Sequence, residues 1–345
     1  MGYEDNPGLA GRLLRTLMRP PAAAYGLVGL LRRSLWRAGV LSPKRVGVPV
    51  ISVGNLTAGG TGKTPMAAWV VDRLKSHGRK PAILSRGYRA MRNESGTPVN
   101  DETLVLRRLL PEVPQYVDPD RVRSGRRAVA DGADCLVLDD GFQHLRLARD
   151  MDIVLLDAMN PFGGGRMIPS GTLREPVSAL RDADVCVLTR VDAVDRAKVE
   201  MARALLRRLA PYALLCEARH APITLAPLTP GPDLALDALA GMRVGIFCGI
   251  GNPEGFRRTV SALGPTIAAA HFLPDHFAYP QDSLDRIASD FAAQKVALAL
   301  TTEKDAVKLD RRWPGEIPLH VLRIAMTITD GADRIEELLA KRASR

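Results

Sequence analysis

The chain has 345 residues, enough for one large domain or two ordinary ones. Hydrophobic residues make up 46% and charged residues 25%, which allows sizeable cores and excludes a disordered chain. The formal charge of +10 favours an acidic partner: a nucleotide, a phosphorylated substrate, a nucleic acid or a phospholipid headgroup.

In chain order, Arg12, Arg15 and Arg19 come first, then the apolar run Pro20–Leu31, then Arg32, Arg33 and Arg37. The run lacks a clear signal-peptide cleavage site, and it is too short to span a bilayer, which takes about 20 apolar residues. Leu27, Leu30, Leu31, Leu35 and Trp36 fall near helical spacing with arginines between them. Such a basic amphipathic helix suits a membrane interface, with cations on anionic headgroups; packing on its own domain is the other reading.

Next comes Ser52-Val-Gly-Asn-Leu-Thr-Ala-Gly-Gly-Thr-Gly-Lys-Thr64, between a predicted strand at Val48–Val53 and a helix that starts near Pro65. Thr57, Ala58, Gly59, Gly60, Thr61 and Gly62 form a loop whose backbone N–H groups can converge on phosphate. Lys63 is placed to reach the β- and γ-phosphates, and the Thr64 hydroxyl to bind Mg²⁺. Thr57 stands where the common pattern opens with glycine. The loop predicts a nucleoside triphosphate.

Helices are expected at Met66–His77, Glu102–Leu110, Arg123–Gly132 and Lys198–Leu209, and strands at Pro81–Ser85, Cys135–Asp139, Ile153–Asp157 and Val185–Thr189. This alternation predicts a parallel sheet covered on both faces. A P-loop enzyme needs an acidic residue at a neighbouring strand end to hold Mg²⁺. Asp139 and Asp140 open the polar cluster Asp139–His144 and suit that role; Asp157 is a rival. Asp101 and Glu102 precede a helix and could simply cap it. The loop Gly163–Glu175 carries Arg166 and Arg174, suited to a phosphorylated substrate. Thr189-Arg-Val-Asp192 is similar to the guanine-reading element of GTPases, which keeps a GTPase switch or metallochaperone as the alternative.

Pro222–Gly231 marks a composition shift. The expected organisation is a basic amphipathic, membrane-associated segment at 1–42, a P-loop domain at 43–221, a linker at 222–236 and a smaller α/β domain at 237–345. Strands are expected in the last at Arg243–Cys248, Val296–Thr301 and His320–Ala325, with helices at Pro253–Leu263 and Arg334–Lys341. His276 lies there in a polar turn. Cys135, Cys186, Cys216 and Cys248 lie far apart without metal-ligand spacing, and read as small buried hydrophobes. The basic residues are not interleaved with aromatics, which are only 5% of the chain, so a nucleic-acid partner is not expected.

Taken in order, Ser52–Pro65, Leu84–Tyr88, Asp101-Glu102, Asp139–His144, Leu173–Pro176, Gly249–Pro253, Pro274–His276 and Thr302–Asp305 closely resemble the tetraacyldisaccharide 4′-kinases, the lipid A 4′-kinases of Gram-negative bacteria. That family's loop likewise lacks the opening glycine. The resemblance implies a P-loop NTPase-like parallel sheet flanked by helices, a smaller C-terminal α/β domain and an N-terminal amphipathic helix. It implies transfer of the ATP γ-phosphate to the 4′-hydroxyl of an acylated glucosamine disaccharide 1-phosphate. It makes Asp101 the base and His276 its partner. Thr64, Glu102 and Asp139 or Asp140 surround Mg²⁺, Lys63 neutralises phosphate charge, and Gln143 and His144 line the site. Phe277 departs from the family, where many members have a second His. A lipid substrate favours the membrane reading of the N-terminal helix, on an anionic inner-membrane surface. The expected protein is a monomer, peripheral on the cytoplasmic face of the bacterial inner membrane.

Overall fold

The computed structural model describes residues 16–87, 91–92, 98–99, 101–309 and 312–344. Arg12, Arg15 and Tyr88 of the sequence motifs lie outside the described residues. The chain divides into two compact units, Met1–His220 with Met326–Arg345, and Ala221–Ala325.

The first unit is built on parallel strands. Strand β1 (Val50–Asn55) pairs on one side with β4 (Cys135–Asp139) and on the other with β5 (Met151–Asp157). Beyond β4 lie β2 (Pro81–Ser85) and β3 (Gln115–Val117). Beyond β5 lie β6 (Val185–Thr189) and the start of β7 (Leu214–Pro227). Strand residues alternate between layers. Ile153 and Leu155 pack with Met66, Val70 and Leu74, whereas Val154 and Leu156 pack with Phe142, Leu180 and Leu206. Both faces are therefore covered, which is why β1, β4, β5 and β6 read as continuous apolar runs.

Helices α1 (Arg19–Arg37), α2 (Lys63–Ser76), α3 (Asp101–Leu109), α4 (Arg121–Ala130) and α5 (Arg196–Leu209) belong to this unit. Asp120 caps α4 by accepting from the Val122 and Arg123 N–H groups. No helix among the described residues is long and apolar enough to cross a membrane.

The second unit has its own parallel strands, β8 (Arg243–Cys248), β9 (Thr266–Phe272), β10 (Leu298–Thr302) and the start of β11 (Leu319–Asp330), with α6 (Pro253–Ser261), α7 (Gln281–Ala293) and α8 (Glu303–Leu309). Phe247, Tyr279, Leu284 and Phe291 form one of its cores.

Two sequence expectations change. The 222–236 stretch is not a bare linker: Pro222–Pro227 continue β7, and Leu225 and Leu234 exchange backbone hydrogen bonds at 3.0 and 2.9 Å. The C-terminal helix α9 (Ala332–Ala343) belongs to the first unit, not to a domain spanning 237–345. Its Ile335, Leu339 and Ala343 are buried in the core that holds Met66 and Val70. Arg342 binds Asp184 at 3.0 Å and Arg73 faces Glu336 at 3.6 Å.

All four cysteines are free and buried. Burial pushes each thiol up to about 12, so almost no thiolate exists near neutral pH. The native protein should resist a thiol-specific disulfide reagent and release the full signal only in denaturant. Fast modification of the folded chain would contradict this burial.

Candidate active site

The carboxyl ends of β1, β4, β5 and β6 lie on one sheet edge, because parallel pairing sets Val53 beside Asp139, Asn55 beside Leu155 and Asp157 beside Thr189. Ligands of open α/β sheets bind at such an edge. The loop Thr57–Gly62 leaves β1 here and enters α2, whose N-terminal N–H groups and dipole suit an anion. Gly62 has φ +90° and caps that helix, and a Cβ there would sit 2.3 Å from Nε2 of His220. Only glycine meets both conditions.

The loop is braced from several sides. Asn55 Nδ2 donates to the Thr61 hydroxyl at 2.9 Å, and the Thr189 hydroxyl donates to the Thr61 carbonyl at 3.1 Å. Arg190 Nη2 donates to the Gly60 carbonyl at 3.2 Å, and its Nε binds Asp157 at 3.1 Å. Asp157, the rival metal ligand, is thus held by Arg190.

Asp139 ends β4 and Asp140 follows it. Asp139 is 2% exposed, and its Oδ1 is buried without a hydrogen-bond partner. Burial first, then the charges of Glu102 and Asp140, push its carboxyl up to about 7. Asp140 has φ +56°, which turns its side chain away from the strand direction. Burial would raise its carboxyl, but Lys63, Arg174 and Arg121 outweigh burial and hold it below the usual range. Lys63 Nζ lies 3.8 Å from Asp140, and Arg174 Nη1 reaches both its oxygens at 2.8 and 3.0 Å. Arg121, 4% exposed, donates to the carbonyls of Asp139 and Asp140 at 3.4 and 3.5 Å.

Thr64, Glu102, Asp139 and Asp140 offer hard oxygen donors of the kind Mg²⁺ takes, and the orphaned Oδ1 of Asp139 is a ready acceptor for an ion or its water. No group of three or more His, Cys, Asp or Glu side chains converges as a ready-made metal cage among the described residues, so the fit is to a Mg²⁺ ion that takes one or two carboxylates from the protein and the rest of its oxygens from phosphate and water. Asp101 and Glu102 occupy the first turn of α3. Gln143 Nε2 donates to the Asn55 carbonyl at 2.8 Å. Thr57 pairs with Leu173, and the Arg174 N–H donates to the Leu56 carbonyl at 2.7 Å, so the glycine-rich loop is laced to the P-loop. Arg174 is the arginine of that loop that reaches Asp140; Arg166 is exposed.

In the second unit, three separated motifs meet around His276. Its N–H donates to the Gly249 carbonyl at 3.2 Å, and φ is +64°. Asp305, fully buried, accepts from the Gly249 N–H at 3.1 Å and the Thr302 hydroxyl at 2.6 Å. Lys304 binds Asp275 at 2.8 Å. His276 itself is exposed.

The model of one family, Tetraacyldisaccharide-1-P 4′-kinase, matches residues 14–344. The chain belongs to the tetraacyldisaccharide-1-P 4′-kinase family. It is 41% identical to the tetraacyldisaccharide 4′-kinase of Anaeromyxobacter dehalogenans strain 2CP-C, over 98% of this chain and 93% of that one. To the enzyme of Geobacter sulfurreducens it is 36% identical, over 94% and 93%. The crystal structure of LpxK from Aquifex aeolicus in complex with ATP superposes with a TM-score of 0.75 at 28% identity, covering 96% of this chain and 99% of that one. Family membership makes this chain a kinase that phosphorylates a hydroxyl group of a tetraacyldisaccharide 1-phosphate.

Within that family frame, sequence reasoning missed Arg121, Arg190 and Asn55. Arg121 lies two residues before the helix expected from the sequence at Arg123, and the structure starts α4 at Arg121 itself. Arg190 lies in the element similar to a guanine-reading sequence, and the structure makes it a brace for the phosphate loop instead.

His144 is partly buried, with Nε2 lacking a partner. Burial, then Arg121 and Arg149, push its imidazole down to about 4. The unfolded chain takes up this proton near pH 6.5, and the folded chain does so only near 4. This residue therefore costs stability as pH falls through that window. From about pH 7 to about pH 5 the wild type should lose on the order of 1 kcal/mol more than His144→Asn, after allowance for solvent screening. Denaturant midpoints without nucleotide measure this; an equal loss in both proteins would exclude a depressed His144.

Proposed function

We propose that this chain transfers the γ-phosphate of ATP to the 4′-hydroxyl of an acylated glucosamine disaccharide 1-phosphate. The reading is carried by the cation cluster at the mouth of the phosphate loop, where Lys63 and Arg174 both meet Asp140. Phosphoryl transfer needs placed charge more than covalent chemistry, and this edge supplies it. The loop Thr57–Thr64 cradles the triphosphate. Thr64, Glu102, Asp139 and Asp140 would hold Mg²⁺, which would supply positive charge against the negative charge that develops in phosphoryl transfer. Lys63 adds a fixed positive charge.

Asp101 is assigned as the base that takes the proton from the 4′-hydroxyl as its oxygen attacks phosphorus. His276 is assigned a supporting role to the base, on the family resemblance. Gln143, His144, Arg166 and Arg174 are assigned to the acceptor, with the arginines directed at its anionic groups.

The acceptor is a lipid, and α1 offers a surface for its membrane. Leu27, Val28, Leu31 and Leu35 are exposed on α1, at 57%, 63%, 56% and 44%. An apolar face flanked by arginines suits the anionic cytoplasmic leaflet of the inner membrane, with the protein peripheral and monomeric.

Labelled γ-phosphate should appear on the disaccharide lipid when folded protein is given ATP, Mg²⁺ and acceptor; a folded, nucleotide-binding protein that labels no lipid overturns the reading. Asp101→Ala should lower kcat by about 10² to 10⁴ and leave KM for ATP within a few-fold. An unchanged kcat removes Asp101 as base. Replacing Leu27, Val28, Leu31 and Leu35 with serine should release the protein from anionic vesicles while activity in detergent persists. Continued sedimentation with vesicles excludes α1 as the docking face.

A further inference from the structure

Helix α1 has a second, polar face turned into its own unit. Ala22 and Gly26 let it approach closely, and a Cβ on Gly26 would sit 3.3 Å from Met167. Arg33 is the centre of that face and is only 2% exposed. Its Nε donates to Glu175 at 2.9 Å, its Nη1 to Asp182 at 2.7 Å and its Nη2 to the Phe142 carbonyl at 3.2 Å. The guanidinium also lies 4.4 Å from the Phe142 ring centre. Around it, Arg32 donates to Glu175 at 2.8 Å and to the Gln143 carbonyl at 3.1 Å. The Tyr25 hydroxyl donates to the Arg174 carbonyl at 3.2 Å.

These contacts fall on the two segments that build the phosphate edge. Phe142 and Gln143 follow the Asp139-Asp140 pair. Glu175 follows Arg174, the residue that grips Asp140. The fork of an arginine fixes both the distance and the orientation of the groups it binds, which an ammonium does not. We propose that Arg33 is a positioning residue for phosphoryl transfer: by gripping Glu175, Asp182 and the Phe142 carbonyl, it fixes Arg174 and Gln143 against Asp140 and Asn55.

The proposal rests on Asp140 and Arg174 belonging to the reaction site. Arg33 touches neither the phosphate loop nor Lys63, so its loss should spare ATP binding. A displacement of about 1 Å at a group that sets transition-state charge costs roughly 10²-fold in rate. The effect therefore belongs in kcat.

The test uses the full chain with acceptor in detergent micelles, where vesicle docking limits nothing. Removing Arg33 alone would leave buried Glu175 with only the half-exposed Arg32 on one of its oxygens, so the informative variant is Arg33→Met with Glu175→Gln, which removes both charges at similar volume. It should melt cooperatively within a few degrees of wild type. Its kcat should fall at least about tenfold, with KM for ATP changed less than about threefold. Arg33→Lys, which keeps the charge and loses the fork, should recover part of the rate. A folded variant of either kind with wild-type kcat overturns the proposal, and if the double variant does not fold, Arg33→Lys decides alone. Asp140→Asn run in parallel separates the two levels. Wild-type kcat in that variant removes the site reading, and with it the route by which Arg33 acts. An inactive Asp140→Asn beside a fully active Arg33→Lys removes the positioning role alone.

Discussion

Adjacent carboxylates at the end of a buried central strand are the constraint around which the first unit is organised. Asp139 ends β4 where there is little water, Asp140 follows it at a partly exposed position, and Glu102 adds a third negative charge. Such a group is unfavourable unless cations answer it. The fold answers Asp140 with Lys63, Arg174 and Arg121, and leaves Asp139 raised and partly unanswered. That imbalance suits a divalent ion with a polyphosphate, whose charge would make the burial of these carboxylates favourable.

The positive charge of the chain acquires a structural reading from this. A formal charge of +10 first suggests an acidic partner. Several of the arginines, however, are committed inside the protein. Arg33, Arg121, Arg174 and Arg190 each hold a carboxylate or a carbonyl at the phosphate edge. Guanidinium suits this work because it stays charged when buried and offers donors in a fixed plane. Part of the basic composition is thus the counterweight of the site's own acids.

How much of this was legible in the sequence depended on the range of the interaction. The phosphate loop, α2 and strands β4, β5 and β6 are written in local pattern, since apolar runs ending in polar residues are what a doubly covered parallel sheet demands. Thr266–Phe272 was not legible: its alanines favour helix, and pairing with Arg243–Cys248 overrides that preference. The prolines of 222–227 suggested a linker, because a rule about turns has no knowledge of a waiting strand partner. The last helix was assigned to the nearer domain in sequence, although its buried face matches the core around Met66. In the site, motif residues such as Lys63, Asp139 and Asp140 were visible, because their chemistry fixes their spacing. The arginines that tune them were invisible, because their partners lie far off in the chain; Arg33 and Glu175 are 142 residues apart.

Of the two readings of helix α1, packing on the domain is the one its contacts show, and the membrane contact proposed above would fall to the opposite face. Ala22, Gly26 and Arg33 turn inward, while Leu27, Val28, Leu31 and Leu35 stay exposed. Apolar residues alone would have served either purpose. A buried arginine between two carboxylates serves only the inward one, since a lipid surface offers it no reason to be desolvated. A helix held to its unit by oriented ion pairs is also rigid at that contact, so whatever the outer face binds is held at a fixed position relative to Arg174 and Gln143. For an acceptor whose acyl chains remain in a lipid phase, that rigidity restricts how its sugar hydroxyl approaches the phosphate edge. The inward pairs of α1 thereby contribute to the geometry of the reaction as well as to the stability of the fold.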